Sequence, residues 1–92
     1  MKIFSEKDIL HALIGLNGWD FQDNSLKKTF TFDSYMQSIE FINRVAEKAE
    51  IVNHHPDMEV GWCKIRIAFT SHDLGGVTAS CIEMAKQVDS VL

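Results

Sequence analysis

The middle of the chain has the least freedom in what it can become. From Asp33 or Ser34, either of which can cap a helix, Met36, Ile39, Ile42, Val45, Ala46 and Ala49 recur at helical spacing opposite Gln37, Glu40, Arg44, Glu47 and Lys48. The only proline in the chain, Pro56, sets the limit of this helix. The residue before a proline is pushed out of the α region into an extended conformation, so the helix ends before His55. What remains on either side must supply the surface against which its apolar stripe is buried.

Both flanks read as strand pairs. On the N-terminal side, Ser5 followed by Asp8 resembles a capping box with Asp in place of Glu, and Ile9, Leu10, Leu13 and Ile14 predict a first helix over Ser5 to Leu16. Asn17 and Gly18 stop it. Trp19 to Phe21 and Leu26 to Phe32 then read as two short strands joined by the polar turn Gln22, Asp23, Asn24, Ser25. On the C-terminal side, Met58 to Trp62 and Ile65 to Thr70 read as a second hairpin, with Ile65, Ile67 and Phe69 pointing inward and Lys64, Arg66 and Ala68 outward. Gly75 and Gly76 make a turn, after which Thr78 can cap a third helix carrying Ile82, Met84, Ala85 and Val88.

The order α-β-β-α-β-β-α contains no βαβ crossover. It predicts an α+β two-layer sandwich, a four-stranded antiparallel sheet with three helices on one face, as a single domain over residues 1–92. The composition suits it, with 46% hydrophobic and 24% charged residues and neither a low-complexity segment nor an internal repeat. A formal net charge of -4 opposes the phosphate neutralisation on which nucleic-acid binding depends, so no nucleic-acid partner is expected. Cys63 and Cys81 lack CxxC spacing and follow no secretory signal, which points to a reduced, cytoplasmic setting. The longest apolar stretches, such as Ala12 to Leu16, fall far short of the roughly 20 residues that cross a bilayer, so no membrane partner is expected either.

The candidate chemistry lies at the end of the central helix. In "NHHPD", residues 53 to 57, Pro56 fixes the chain leaving His55, and an extended His54–His55 pair sends its rings to opposite sides of the backbone. Two such rings do not easily chelate one ion. The second hairpin leaves this corner at residue 58 and returns by residue 70, which delivers His72 beside it. His54, His55 and His72 then either share one mouth or are polar loop histidines. His11, alone on the first helix, reads as structural or surface. No helical HxxxH or Cys/His spacing supports a metal, and none is expected. Acid–base chemistry by neutral and protonated imidazoles near neutral pH fits the pattern better.

Other residues carry weaker signals. Trp19 and Trp62 can stack on a flat ring, but strand-end tryptophans also serve as core or interface anchors. Gly75–Gly76 lacks the spacing of a phosphate loop, and the serines and cysteines lack a nucleophile motif.

Glu50, His54–His55–Pro56, Trp62 and His72 followed by "DLGGVT" together resemble the pterin-4a-carbinolamine dehydratase family. "NGW" at 17 to 19, "LKKTFTF" at 26 to 32 and "FINRVAEKAE" at 41 to 50 are similar to its first hairpin and central helix. The resemblance implies dehydration of 4a-hydroxytetrahydropterin to quinonoid dihydropterin, which recycles the cofactor of aromatic amino-acid hydroxylases and needs no cofactor or metal. It implies that His54, His55 and His72 are the catalytic histidines and that Pro56, Trp62 and Asp73 join them in binding the pterin. His55 is expected to be the main acid–base group, His54 its partner at the substrate, and His72 the group orienting the pterin. It further implies a homodimer or homotetramer. The alternative it carries is a binding module that acts as a dimerisation or assembly cofactor for another protein. The chain departs from the family pattern at Cys81, where the family has Asp. An acidic residue there, three after Thr78, reads as the second half of a capping box or as part of the site.

Overall fold

The structure, a computed structural model, describes residues 2–92. It contains α1 (Glu6–Leu13), β1 (Asp20–Gln22), β2 (Ser25–Thr31), α2 (Tyr35–Val52), β3 (Asp57–Val60), β4 (Lys64–Phe69) and α3 (Ala79–Ser90), the predicted order. All strand pairs are antiparallel, and the sheet runs β1-β2-β4-β3.

The first helix begins as its sequence predicts, with the Asp8 backbone N–H donated to Ser5 Oγ at 3.1 Å. It ends before the expected Leu16 because the chain tightens. Ile14, Gly15 and Leu16 bond back to the carbonyls of His11, Ala12 and Leu13, the spacing of a 3₁₀ turn. Ile9 is buried, whereas Leu10 and Ile14, expected on the apolar stripe, are exposed. The tight turn still delivers Leu16 and Trp19 to the core, so Trp19 is a core residue rather than the first residue of β1. Its indole N–H is donated to Asp89 Oδ2 at 3.0 Å, and Lys28 Nζ reaches Asp89 Oδ1 at 2.8 Å, joining β2 to the last turn of α3.

Asp23 and Asn24 connect β1 to β2 with φ of 51° and 59°. Two successive left-handed residues make the primed turn whose twist suits a hairpin, and Asp and Asn tolerate it better than most residues. Ser34, not Asp33, caps α2, accepting the Gln37 N–H at 3.2 Å. The buried face of α2 is Ser38, Phe41, Val45 and Ala49, rotated from the stripe the sequence suggested. Met36 and Ala46 are exposed, and Ile39 and Ile42 only partly covered. The bulkiest side chain sets this rotation. Phe41 packs its ring 4.8 Å from Phe30 and 5.1 Å from Phe32, and the smaller residues take the positions left to them.

The second hairpin is displaced toward the N-terminus from Met58–Trp62 and Ile65–Thr70, and Asp57 pairs with Ala68 where the chain leaves Pro56. The expected inward residues Ile65, Ile67 and Phe69 are fully buried. They share one core with Leu26 and Phe30 of β2 and with apolar residues of all three helices, so the helices cover a single face of the sheet. Thr78 occupies the N-cap position of α3 but makes no side-chain cap bond. No helix among the described residues is long and apolar enough to cross a membrane.

Candidate active site

The site starts from how α2 stops. Asn53 adopts the left-handed conformation (φ 56°, ψ 44°), which closes the helix through its N–H to the Ala49 carbonyl and turns the chain sharply. Proline then holds the next residues extended. The two histidine rings consequently diverge. His54 turns inward, half-buried, with Nε2 3.3 Å from the sulfur of Cys81 and its ring stacked on Phe69 at 5.9 Å and 14°. His55 turns outward, where Nε2 lies 2.5 Å from Glu50 Oε2 of the preceding helical turn.

The third histidine arrives from the other end of the hairpin. Beyond β4, Ser71 makes an isolated bridge to Gly76 and its carbonyl accepts the N–H groups of Leu74 and Gly75, a compact turn that needs the left-handed φ of 81° at Gly75. Asn24 of the first hairpin clasps this turn by donating Nδ2–H to the Gly75 carbonyl at 2.8 Å. His72 is thereby set beside the opening of β3, with Nε2 3.1 Å from Asp57 Oδ2. Each histidine of the corner thus has a different partner: Glu50 for His55, Asp57 for His72 and Cys81 for His54.

The electrostatics separate the three. Burial depresses the pKa of His54 from its ordinary 6.5, the nearby Asp73 carboxylate opposes this, and His55 and His72 reinforce it. Burial and the two neighbouring histidines thus favour the neutral form of His54. Proximity to all three groups also places Asp73 and His72 within electrostatic reach of the His54–His55 corner. A carboxylate can only accept, so when His55 and His72 are neutral their Nε2 atoms carry the proton and their Nδ1 atoms are the basic positions. Such an arrangement can give and take protons near neutral pH without a nucleophile.

Of the residues named from sequence, His54, His55, His72, Asp73 and the partly buried Pro56 share this corner. Trp62 does not join them. It occupies the β3–β4 turn at the opposite end of the hairpin, 78% exposed, its carbonyl accepting the Ser38 hydroxyl at 3.3 Å. His11 is exposed on α1. Among the described residues no group of three or more His, Cys, Asp and Glu is arranged to hold a metal ion. A surface hollow of about 440 Å³ is lined by Thr29, Glu59, Val60, Gly61, Lys64 and Arg66 and contains none of the histidines. It is an open depression over strand residues, and the paired imidazoles define the site better than its volume does.

Sequence reasoning named Glu50 and position 81 through the family pattern without pairing either with a histidine, and it gave Asp57 no role. Asp57 could have been found from hairpin closure, since the geometry that returns His72 to the corner returns it to the first residue of β3. Cys81 could not. Only tertiary packing brings the first turn of α3 against His54, and the same packing takes the Thr78 hydroxyl away from the helix end to Ser71 Oγ at 2.8 Å. The reading of position 81 as half of a capping box is therefore not what the structure has. Cys81 is fully buried, and its sulfur faces His54, Ser71 and Thr78.

Comparison with known proteins agrees with this architecture. The profile of the family described as "Pterin 4 alpha carbinolamine dehydratase" matches residues 2–91. A protein of Sulfurisphaera tokodaii whose name assigns it provisionally as a pterin-4-alpha-carbinolamine dehydratase is 37% identical over 92 residues, 100% of this chain and 99% of its own length. The crystal structure of a transcriptional coactivator/pterin dehydratase from Brucella Melitensis superposes with a TM-score of 0.94 at 25% identity, over 98% of both chains. A pterin dehydratase-like protein identified as a RuBisCO assembly factor in the alpha-carboxysome shares the fold, with a TM-score of 0.66 at 24% identity over 79% of this chain and 84% of its own. With residues 2–91 covered by the family profile and a relative 37% identical along its full length, the chain belongs to the pterin-4-alpha-carbinolamine dehydratase family.

Proposed function

We propose that the chain dehydrates 4a-hydroxytetrahydropterin to quinonoid dihydropterin and water, recycling in the cytoplasm the pterin cofactor of aromatic amino-acid hydroxylases. The observation that carries this reading is the convergence of three histidines, each fixed by its own partner, in a chain of this family. In the reaction the C4a–O bond breaks as the hydroxyl takes up a proton and leaves as water, while N5 of the ring gives its proton to a base. His55 is the main acid–base group: it is exposed at the mouth, and Glu50 holds its Nε2 so that Nδ1 can exchange protons. His72, backed by Asp57, orients the pterin, and His54 stays neutral as its partner at the substrate. Pro56 and Asp73 complete the corner.

A second reading is a binding module for another protein. It is favoured by the coactivator named in the description of the Brucella structure and by the exposure of Tyr35, Met36 and Ile51 along α2, at 48%, 62% and 80%. The same surfaces, with the edge strands β1 and β3, would serve a homodimer or homotetramer. One preparation tests both readings. Incubated with chemically generated 4a-hydroxytetrahydropterin, the protein should accelerate the absorbance change in proportion to its concentration, and light scattering should report more than a monomer. A rate no different from the spontaneous one would discard the dehydratase in favour of the module.

A further inference from the structure

The adjacent histidines differ in what holds them, and the difference fixes which nitrogen of each carries its proton. Glu50 can only accept, so it keeps the hydrogen of His55 on Nε2. Cys81 can do either, and its surroundings decide. Its sulfur lies 3.3 Å from His54 Nε2, 3.7 Å from Ser71 Oγ and 3.8 Å from Thr78 Oγ1, and the two hydroxyl oxygens are 2.8 Å apart. One hydroxyl donates to the other, and the second has the sulfur within reach as an acceptor. The thiol hydrogen then goes to the best acceptor near it, the unprotonated nitrogen of an imidazole. The opposite arrangement would spend an imidazole N–H on a thiol, a weak acceptor, on the buried side of the ring.

We infer that Cys81 is a positioning residue that holds His54 as the Nδ1–H tautomer, so that His54 is a hydrogen-bond donor at Nδ1 while the neighbouring His55 is a proton acceptor at the same atom. The inference rests on the dehydratase reading for its role. In that role His54 does not exchange protons with the pterin. It supplies a fixed donor that a hydroxyl or ring heteroatom can lean on, and the protons travel through His55. A chain of hydroxyl, thiol and imidazole, each donating to the next, polarises His54 in the same direction throughout.

The test is spectroscopic first. Two-bond nitrogen–proton correlations on the nitrogen-15-labelled full chain at neutral pH should report His54 as Nδ1–H and His55 as Nε2–H. Cys81→Ser, whose hydroxyl can also donate, should keep that pattern. Cys81→Asp, whose carboxylate can only accept, should move the His54 proton to Nε2. An Nε2–H tautomer of His54 in the unmodified chain overturns the inference without any variant, as does a tautomer that Cys81→Asp leaves in place. Kinetics give the functional arm: Cys81→Ala, which removes the donor, should lower kcat by about tenfold, about 1.4 kcal/mol of barrier, with KM little changed, and Cys81→Ser, which keeps a donor, should retain most of it. Equal losses in both variants overturn the role in catalysis. If the unmodified chain turns over no pterin, the dehydratase reading fails, while the spectra still decide the tautomer.

Discussion

His55 with Glu50 and His54 with Cys81 are built on neighbouring residues, yet one pair is at the surface and the other reaches into the core through Cys81. The His55 and Glu50 side chains are 53% and 76% exposed, and His72 and Asp57 are 67% and 70%. Cys81 is not exposed at all, and its partner ring is stacked on Phe69. Water competes for the first two pairs, whereas in the third it reaches only the half-buried His54 ring and not the sulfur. Ion pairs open to solvent contribute about 0–1 kcal/mol to stability, so Glu50 and Asp57 act by holding a ring in orientation rather than by holding the fold together. The inner pair is the reverse, since a mismatch there is felt by the packing of β4 and α3. The site thus divides its tasks: solvent surrounds the outer histidines, whereas burial opposes charging the inner one.

This division can be broken most forcefully at His55. His55→Ala should lower turnover by roughly 10²-fold or more, the scale of a lost acid–base catalyst, with the far-ultraviolet circular dichroism unchanged. His11→Ala is the control, and an equal loss there would mean that the corner is not the site.

The inner pair should speak through acid stability instead. The folded-state pKa of His54 is depressed below 6.5, so between the two values the unfolded chain binds more protons than the folded one. Stability therefore rises with pH across that window and falls as the solution is acidified below about 6.5. His54→Gln, neutral at every pH, should flatten this limb of a plot of Tm against pH. A limb of unchanged slope would show that acid sensitivity has another origin.

The smallest expected effects belong to the outer carboxylates. Glu50→Gln and Asp57→Asn should each change stability by less than about 1 kcal/mol in denaturant titrations at low salt, and the difference should shrink further at high salt. A loss well above that from either would mean that the outer pairs carry structure after all, and the contrast with Cys81 would collapse.

The same contrast explains what the sequence discloses. The order of elements is legible because capping residues, the lone proline and the alternation of Ile65, Ile67 and Phe69 are local signals. The histidine corner is legible because a hairpin of two similar strands must return near its start. The rotation of α2 is not, since the stripe of Met36, Ile39 and Ala46 is as good a helical pattern as the one that packs, and only the fit of Phe41 against Phe30 and Phe32 chooses between them. The Cys81 contact is hidden for a related reason. Nothing near position 81 in the chain records which side of the first turn of α3 meets His54.

The central strand pair β2–β4 sets Leu26 opposite Phe69, two residues with the whole of α2 and the second hairpin between them. Glu50, His55, Asp57 and His72, by contrast, all lie on one short stretch of chain. Loop closure costs more entropy as the loop lengthens, and topologies dominated by distant pairings fold more slowly. The outer half of the site therefore closes shorter loops, 5 and 15 residues for its two pairs, than the inner half, which spans 27 residues and needs Phe69 seated against β2 and α3 docked.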